Sequence, residues 1–222
     1  MSNIEIFEDQ RAAGYDQFVE TWIPNYRYFM SKVPRLLRES RDQPLLVAGC
    51  GTGTEIEFLL HEHSSWNITG VDPSPDMIQQ ARTRLQAFKS IQLIEGVVKD
   101  LEATPSFGAA TLLLVLHFMP DDGTKLALLK DIADRMQKNA PFVLLDITGH
   151  PEQLRANLQI LKQLLPDHVE AAEIENRLYR IEHKLHPVSE ERLGELLVEA
   201  GFRLPLRFFQ TAIYMGWLCY RS

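Results

Sequence analysis

Cysteine is almost missing from this sequence: Cys50 and Cys219 are the two in 222 residues. Thiols so far apart, in a chain without export features, read as reduced side chains. Neither a disulfide scaffold nor a cysteine zinc site is expected, and no metal site is predicted. Long apolar runs are missing as well. The longest, Ala109 to Leu116, is far short of the about 20 residues that a membrane helix needs, so no membrane partner is expected. The opening residues, MSNIEIFEDQ, lack the basic start and apolar stretch of a secretory leader, which predicts a cytoplasmic protein. Positive charge is in deficit. With 23 Lys and Arg against 30 Asp and Glu the net charge is −7, which disfavours a nucleic-acid partner. Repeats and low-complexity tracts are absent too. What is present is 45% apolar and 24% charged, enough for a sizeable core in a monomer or homodimer.

The pattern along the chain changes twice. Over the first 40 residues Phe7, Tyr15, Phe18, Val19 and Trp22 form a rough apolar stripe, broken at Pro24. A second helical stretch from Asn25 carries Tyr26, Phe29, Met30 and Val33, and its polar end closes at Pro44. From there short apolar runs alternate with helical ones. PLLVAG, NITGVD, IQLIEG, AATLLLVL and PFVLLDIT read as strands. TEIEFLLHEH reads as a helix, and Ser74 and Pro75 open another as N-cap and first residue. Asp121 or Asp122 caps a third, with Leu128, Leu129, Ile132 and Met136 on its inner face. Such alternation argues for an α/β fold with a parallel sheet covered on both faces. After Asp146 two or three helices fill 150–182, a helix over 189–200 ends at Gly201, and RLPLRFF with AIYMGWLCY form an edge hairpin. The expectation is one domain over 1–222. It comprises a helical cap (1–40), a cofactor-binding core (41–149), a helical insertion (150–187), and a C-terminal helix and hairpin (188–222).

The most informative stretch is VAGCGTGTE, residues 47–55, between the first strand and the first helix of the βα series. Ligands of open parallel sheets bind there, outside the carboxyl ends of the strands. Gly49, Gly51 and Gly53 let the backbone turn tightly and approach a ligand, and Cys50, Thr52 and their neighbours offer free amides at a helix N-terminus. Asp72, 19 residues after Gly53, closes the second strand, where a carboxylate can accept from both ribose hydroxyls of an adenosine. Its plainer role is to help Ser74 cap the next helix. Thr54 stands where a dinucleotide fingerprint has its last glycine. Glu55 would repel a pyrophosphate but suits a ligand carrying an ammonium or sulfonium.

VAGCGTGTE followed by VDPSPDMI resembles the first two motifs of the class I S-adenosylmethionine-dependent methyltransferases over about residues 40–147. TWIPNY, LHFMPDD and the C-terminal AGF are similar to small bacterial and archaeal members, with the carboxy-S-adenosylmethionine synthases in the same neighbourhood. The resemblance implies a Rossmann-like, mostly parallel seven-stranded sheet of order 3-2-1-4-5-7-6 with strand seven antiparallel. It implies S-adenosyl-L-methionine as cofactor, with the Gly49–Gly53 loop along its amino-acid part and Asp72 on the ribose. Pro73 and Met77 would then pack near the adenine, Val97 and Val98 on its far side, and Tyr26 would reach the cofactor. Three positions depart from the pattern. Val97 stands where members often carry Asp, and Gly108 where strand four usually begins with Asp. Leu113 matches a cofactor-site Asn of the carboxy-S-adenosylmethionine synthases.

Methyl transfer from a sulfonium needs alignment and exclusion of water more than covalent help, and a base only if the acceptor is protonated. The expected activity is transfer to a small-molecule acceptor. A carboxy-S-adenosylmethionine synthase, a non-catalytic binding module and a nicotinamide oxidoreductase are the alternatives. His117, after strand four, is the candidate base, with Tyr26 as the second catalytic candidate and Tyr15 a weaker one. Leu154 and Leu158 read as core. Arg177 and Arg180 could face an anionic acceptor but read first as a solvated helix face, and His61 and His63 as surface.

Overall fold

The computed structural model describes residues 6–104 and 106–222; residues 1–5 of the expected cap lie outside them. Three helices occupy the rest of that cap, α1 (Asp9–Ala13), α2 (Tyr15–Trp22) and α3 (Tyr26–Leu36). The break expected at Pro24 is there. The second helical stretch ends earlier than its composition suggests. Pro34 occupies the last turn of α3, and the polar residues after Leu37 form a short 3₁₀ turn, Arg38–Ser40, on the way to the first strand.

Then follow β1 (Pro44–Ala48), α4 (Thr54–Glu62), β2 (Asn67–Asp72), α5 (Pro75–Arg84), β3 (Ile91–Glu95) and β4 (Ala109–Leu113). They are continued by α6 (Thr124–Ala133), β5 (Pro141–Ile147), α7 (Pro151–Leu164) and α8 (Ala171–His183). The chain closes with α9 (Glu190–Glu199), β6 (Leu206–Thr211) and β7 (Tyr214–Tyr220). The sheet order is β3-β2-β1-β4-β5-β7-β6. The strands pair in parallel except β7, which runs antiparallel to both β5 and β6. The order and the antiparallel strand seven are those implied by the sequence resemblance.

Strand side chains alternate between the faces, and each face has its own core. Leu45, Val47, Ala109, Val143 and Leu145 pack with α3, α4, α5, α7 and α8, whereas Leu46, Ala48, Ala110, Phe142 and Leu144 pack with α6 and α9. Burial on both sides is why these strands read as unbroken apolar runs. Leu154 and Leu158 lie in the first core, as expected of them. No helix among the described residues is long and apolar enough to cross a membrane.

The order of the sheet reverses between β1 and β4. The chain leaves β1 for β2 on one side and arrives at β4 on the other, which opens a crevice above their carboxyl ends. The β1–α4 loop, the tip of β2 and the turn after β4 converge there, with the N-terminal helices and α8 above them.

Candidate functional site

The β1–α4 loop is held from below and from the side. The amides of Gly49 and Cys50 donate to the Val71 carbonyl at 2.8 and 3.0 Å. Gly49 has φ +72°, and a Cβ there would lie 2.5 Å from a Val115 methyl, so no larger residue fits. Asp72, 9% exposed, clamps the loop to the next helix: Oδ2 accepts from the Gly51 amide and Oδ1 from the Ser74 amide, both at 2.9 Å. Burial raises its carboxyl above the ordinary range, against the pull of those amides. Ser74 caps α5 as expected, its Oγ accepting from the Met77 amide at 3.4 Å.

The cap is fastened across this loop. Asp16 on α2 accepts from the Thr52 and Thr54 hydroxyls at 2.6 and 3.1 Å and pairs with Arg84 of α5. Burial pushes the Asp16 carboxyl up, but the hydrogen bonds from Arg84, Thr52 and Thr54 outweigh it and leave the group below the usual carboxylate range. Arg84 also donates to the Thr52 carbonyl at 3.0 Å. Ahead of α1 the chain crosses the tip of β2, where the Ser74 hydroxyl donates to the Phe7 carbonyl and the Asp9 amide donates to Asp76 at 2.7 Å. The Phe7 ring meets Tyr15 and Phe118 edge-on at 5.4 and 5.5 Å.

Under the cap is a cavity of about 270 Å³ bounded by α2, α8, β7 and the turn after β4. Its walls include Phe18, Val19, Ile23 and Phe118, and its polar groups come from Gln10, Tyr15, His117, Tyr214 and three arginines. Leu114, at the tip of β4, holds φ +62°, a conformation that costs a branched side chain about 1–3 kcal/mol and is retained where the surroundings impose it. The turn that follows carries His117 into the cavity wall. Its Nδ1 lies 2.8 Å from Asp146 Oδ1 at the end of β5, and both residues are 3% exposed. Asp146 also accepts from the amides of Leu116 and His117 at 2.8 and 3.1 Å, which fixes the turn and the ring together. Behind it the buried Lys125 ammonium donates to the carbonyls of Leu116 and His186 at 2.5 and 2.8 Å, tying this turn to the segment after α8.

The residues singled out in the sequence are only partly brought together. Gly49, Cys50, Gly51, Thr52, Gly53 and Asp72 converge, and Pro73 and Met77 follow at the start of α5. Val98 and Leu113 lie in the two cores, 3% and 6% exposed. The Val97 amide, facing the sheet's edge, is taken by Asp100 at 3.0 Å. Tyr26, the first residue of the cap helix α3, is buried with Tyr15, Glu55 and Asp16 as neighbours and does not line the cavity; Tyr15 does. His61 faces Glu57 at 4.0 Å and His63 bonds Ser65, away from the crevice. Arg177 and Arg180 differ from the first reading of them: both are partly buried and line the cavity. Asp16, Arg84 and Asp146 had not been singled out. Of these, Asp146 left a signal, a lone carboxylate closing an apolar strand.

Glu55, in the first turn of α4, is 6% exposed, with the Thr111 hydroxyl as a hydrogen-bonding neighbour. Burial pushes its carboxyl from 4.5 up to about 7. The folded chain therefore keeps a proton that the unfolded chain releases. This contribution to stability is fully present below pH 4.5 and is lost as pH rises through about 7. A shift of this size corresponds to about 3 kcal/mol. Glu55→Gln is expected to raise the melting temperature at pH 8 by about 6–10 °C and to change little at pH 4.5. Equal effects at the two pH values in thermal melts would refute the assignment.

The crevice fits S-adenosylmethionine. Gly51, at φ +51°, has open space where a Cβ would stand, beside a buried carboxylate that retains free lone pairs for hydroxyl donors. A family model described as "Methyltransferase domain" matches residues 46–142. The carboxy-S-adenosyl-L-methionine synthase 1 of Yersinia pseudotuberculosis serotype IB (strain PB1/+) is 24% identical over 98% of this chain and 95% of its own length. Human N-acetylserotonin methyltransferase, solved with S-adenosylmethionine, superposes with a TM-score of 0.66 at 18% identity, covering 96% of this chain. This chain spans only 56% of that enzyme's length. Burkholderia thailandensis 1,6-didemethyltoxoflavin-N1-methyltransferase, solved with 1,6-didemethyltoxoflavin and S-adenosylhomocysteine, gives 0.62 at 17% identity. That match covers 95% of this chain and 84% of the other. At such identities the structural likeness speaks for the fold alone. The domain match falls on the glycine loop and Asp72, and it joins a near end-to-end relative and the implied strand order. On these grounds residues 46–142 form a methyltransferase domain that resembles those of the class I S-adenosylmethionine-dependent methyltransferases.

Proposed function

We propose that the protein transfers a methyl group from S-adenosylmethionine to a small-molecule acceptor lodged in the cavity beneath the cap. The observation that carries this reading is the buried His117–Asp146 pair at the wall of a largely apolar cavity, beside the crevice that holds the glycine loop and Asp72. Bound there, S-adenosylmethionine supplies an electrophilic methyl on a sulfonium. The Gly49–Gly53 loop lines its amino-acid part, Asp72 accepts from its ribose, and Pro73, Met77, Val97 and Val98 surround the adenine side. Cys50, Thr52 and Leu113 complete the cofactor's surroundings. His117 accepts the acceptor's proton, its ring held by the carboxylate of Asp146. The cap, with Tyr26 buried at the start of its helix α3, excludes water from the reacting atoms. We further read the chain as one domain over 1–222, with cap, core, insertion and hairpin as bounded above. It is read as a cytoplasmic monomer or homodimer with no nucleic-acid partner, in keeping with its two unpaired, buried cysteines and its acidic charge.

S-adenosylmethionine and S-adenosylhomocysteine are expected to bind with micromolar affinity. At about a hundred times the dissociation constant each would raise the melting temperature by about 5–10 °C. NAD is expected to leave it unchanged. A shift with NAD and none with S-adenosylmethionine in the same melts would sink the reading.

The second reading, a carboxy-S-adenosylmethionine synthase, is favoured by relatives that align over nearly the whole chain. The apolar Leu113 beside the crevice counts against it. Formation of carboxy-S-adenosylmethionine, in place of S-adenosylhomocysteine with a methylated acceptor, would decide for it.

A further inference from the structure

The cavity has a charge of its own. Arg11, Arg177 and Arg180 line it, and none of the described residues lining it is acidic, although the protein as a whole carries −7. Arg177 and Arg180 lie three residues apart on α8, hence on one face of the helix. The Arg177 guanidinium lies over the Phe18 ring, its central carbon 4.7 Å from the centroid, which leaves its N–H edge to point elsewhere. Its Nε is buried without a hydrogen-bond partner. The hydroxyl of Tyr214, a residue of β7 that is 1% exposed, lies beside the Arg177 guanidinium, from which its oxygen can accept, and its own proton finds no acceptor.

A buried guanidinium N–H and a buried hydroxyl proton that both lack an acceptor, side by side at one cavity, are rare in folded proteins unless something else completes them. The complement must offer acceptor oxygens and negative charge. A carboxylate meets both demands, since it accepts on two oxygens, donates nothing and pairs with a guanidinium more strongly than any neutral group. Apart from Gln10 and His117 the remaining walls are largely aromatic and aliphatic. At about 270 Å³ the cavity lies just below the range typical of drug-sized ligands, room for an apolar body of about one ring.

We propose that the acceptor is a small carboxylic acid with an apolar body, its carboxylate bound by Arg177 and Tyr214 at the α8 side of the cavity. This rests on the reading of the cavity as the acceptor site. Arg177 is then a specificity-determining residue: it selects the acid over its neutral analogues and sets which end of the acceptor faces His117.

The test is binding without turnover. Benzoate and benzamide have the same ring and differ in charge, and each is titrated calorimetrically into the full chain without cofactor. Benzoate is expected to bind at least tenfold more tightly than benzamide. Arg177→Met should abolish that preference, and Tyr214→Phe, which keeps the ring, should weaken benzoate several-fold and leave benzamide unchanged. S-adenosylhomocysteine, titrated separately, is expected to bind all three proteins alike. Equal binding of benzoate and benzamide to the wild type overturns the proposal, as does a benzoate preference that survives in both variants. Arginine-dependent benzoate binding in a protein that does not bind S-adenosylhomocysteine would uphold the anion site and overturn the methyl-transfer reading instead.

Discussion

His117→Ala is expected to lower methyl transfer by about 10²- to 10⁴-fold, the range for losing a positioned general base, with cofactor binding unchanged. The geometry separates the two effects. His117 stands in the cavity wall after β4, whereas the loop and Asp72 proposed to hold the cofactor belong to the β1–α4 turn and the tip of β2. Asp146 holds Nδ1, which leaves the other ring nitrogen for the acceptor's proton, and the same carboxylate anchors the turn through two amides. Asp146→Asn would keep much of that anchoring but no longer hold the ring N–H at Nδ1, so a loss of about 10²-fold or more is expected there as well. Free imidazole added to the alanine variant should restore part of the rate. Single-turnover rates and calorimetry with S-adenosylhomocysteine check both points. An alanine variant that transfers at the wild-type rate would show that the acceptor arrives without a proton to lose.

The sheet was legible because burial on both faces erases polar residues from β1, β4 and β5, and runs such as Ala109–Leu113 carry that erasure openly. Where β7 sits was not legible from periodicity. It depends on contacts such as Leu145 with Gly216, 71 positions away, and it came from the family resemblance. The same contrast holds at the site. Gly49 to Gly53 and Asp72 announce themselves because a tight turn and a strand end each impose a residue type at a fixed spacing. The link between Asp16 and Arg84 joins α2 to α5 across 68 positions and leaves no local pattern. Arg177 was misread for a different reason. It falls three residues after Ile174 and four before Ile181, on the apolar stripe of α8, and a cation in such a place faces a cavity as readily as it reaches solvent.

Asp72→Ala is expected to weaken cofactor binding at least tenfold, since hydrogen bonds to a charged acceptor are worth about 1.5–3 kcal/mol each and two are at stake. Both oxygens of Asp72 already receive a backbone amide, but a carboxylate has about four lone-pair positions, which leaves capacity for the two ribose hydroxyls. The cost to the fold is smaller than those amides suggest. Burial raises the Asp72 carboxyl, so the folded protein holds this charge at a disadvantage, and its removal relieves the desolvation while it orphans the Gly51 and Ser74 amides. The two effects oppose each other, and the melting temperature of the cofactor-free variant is expected to stay within a few degrees of wild type. Asp72→Asn separates them further. It keeps an acceptor oxygen for one of the amides but loses the charge, so it should fold as wild type and still bind S-adenosylhomocysteine about tenfold more weakly. Calorimetric titration and thermal melts on both variants decide the matter. If alanine and asparagine bind the cofactor as tightly as aspartate, then Asp72 serves only to tie the glycine loop to α5, and the ribose is held elsewhere.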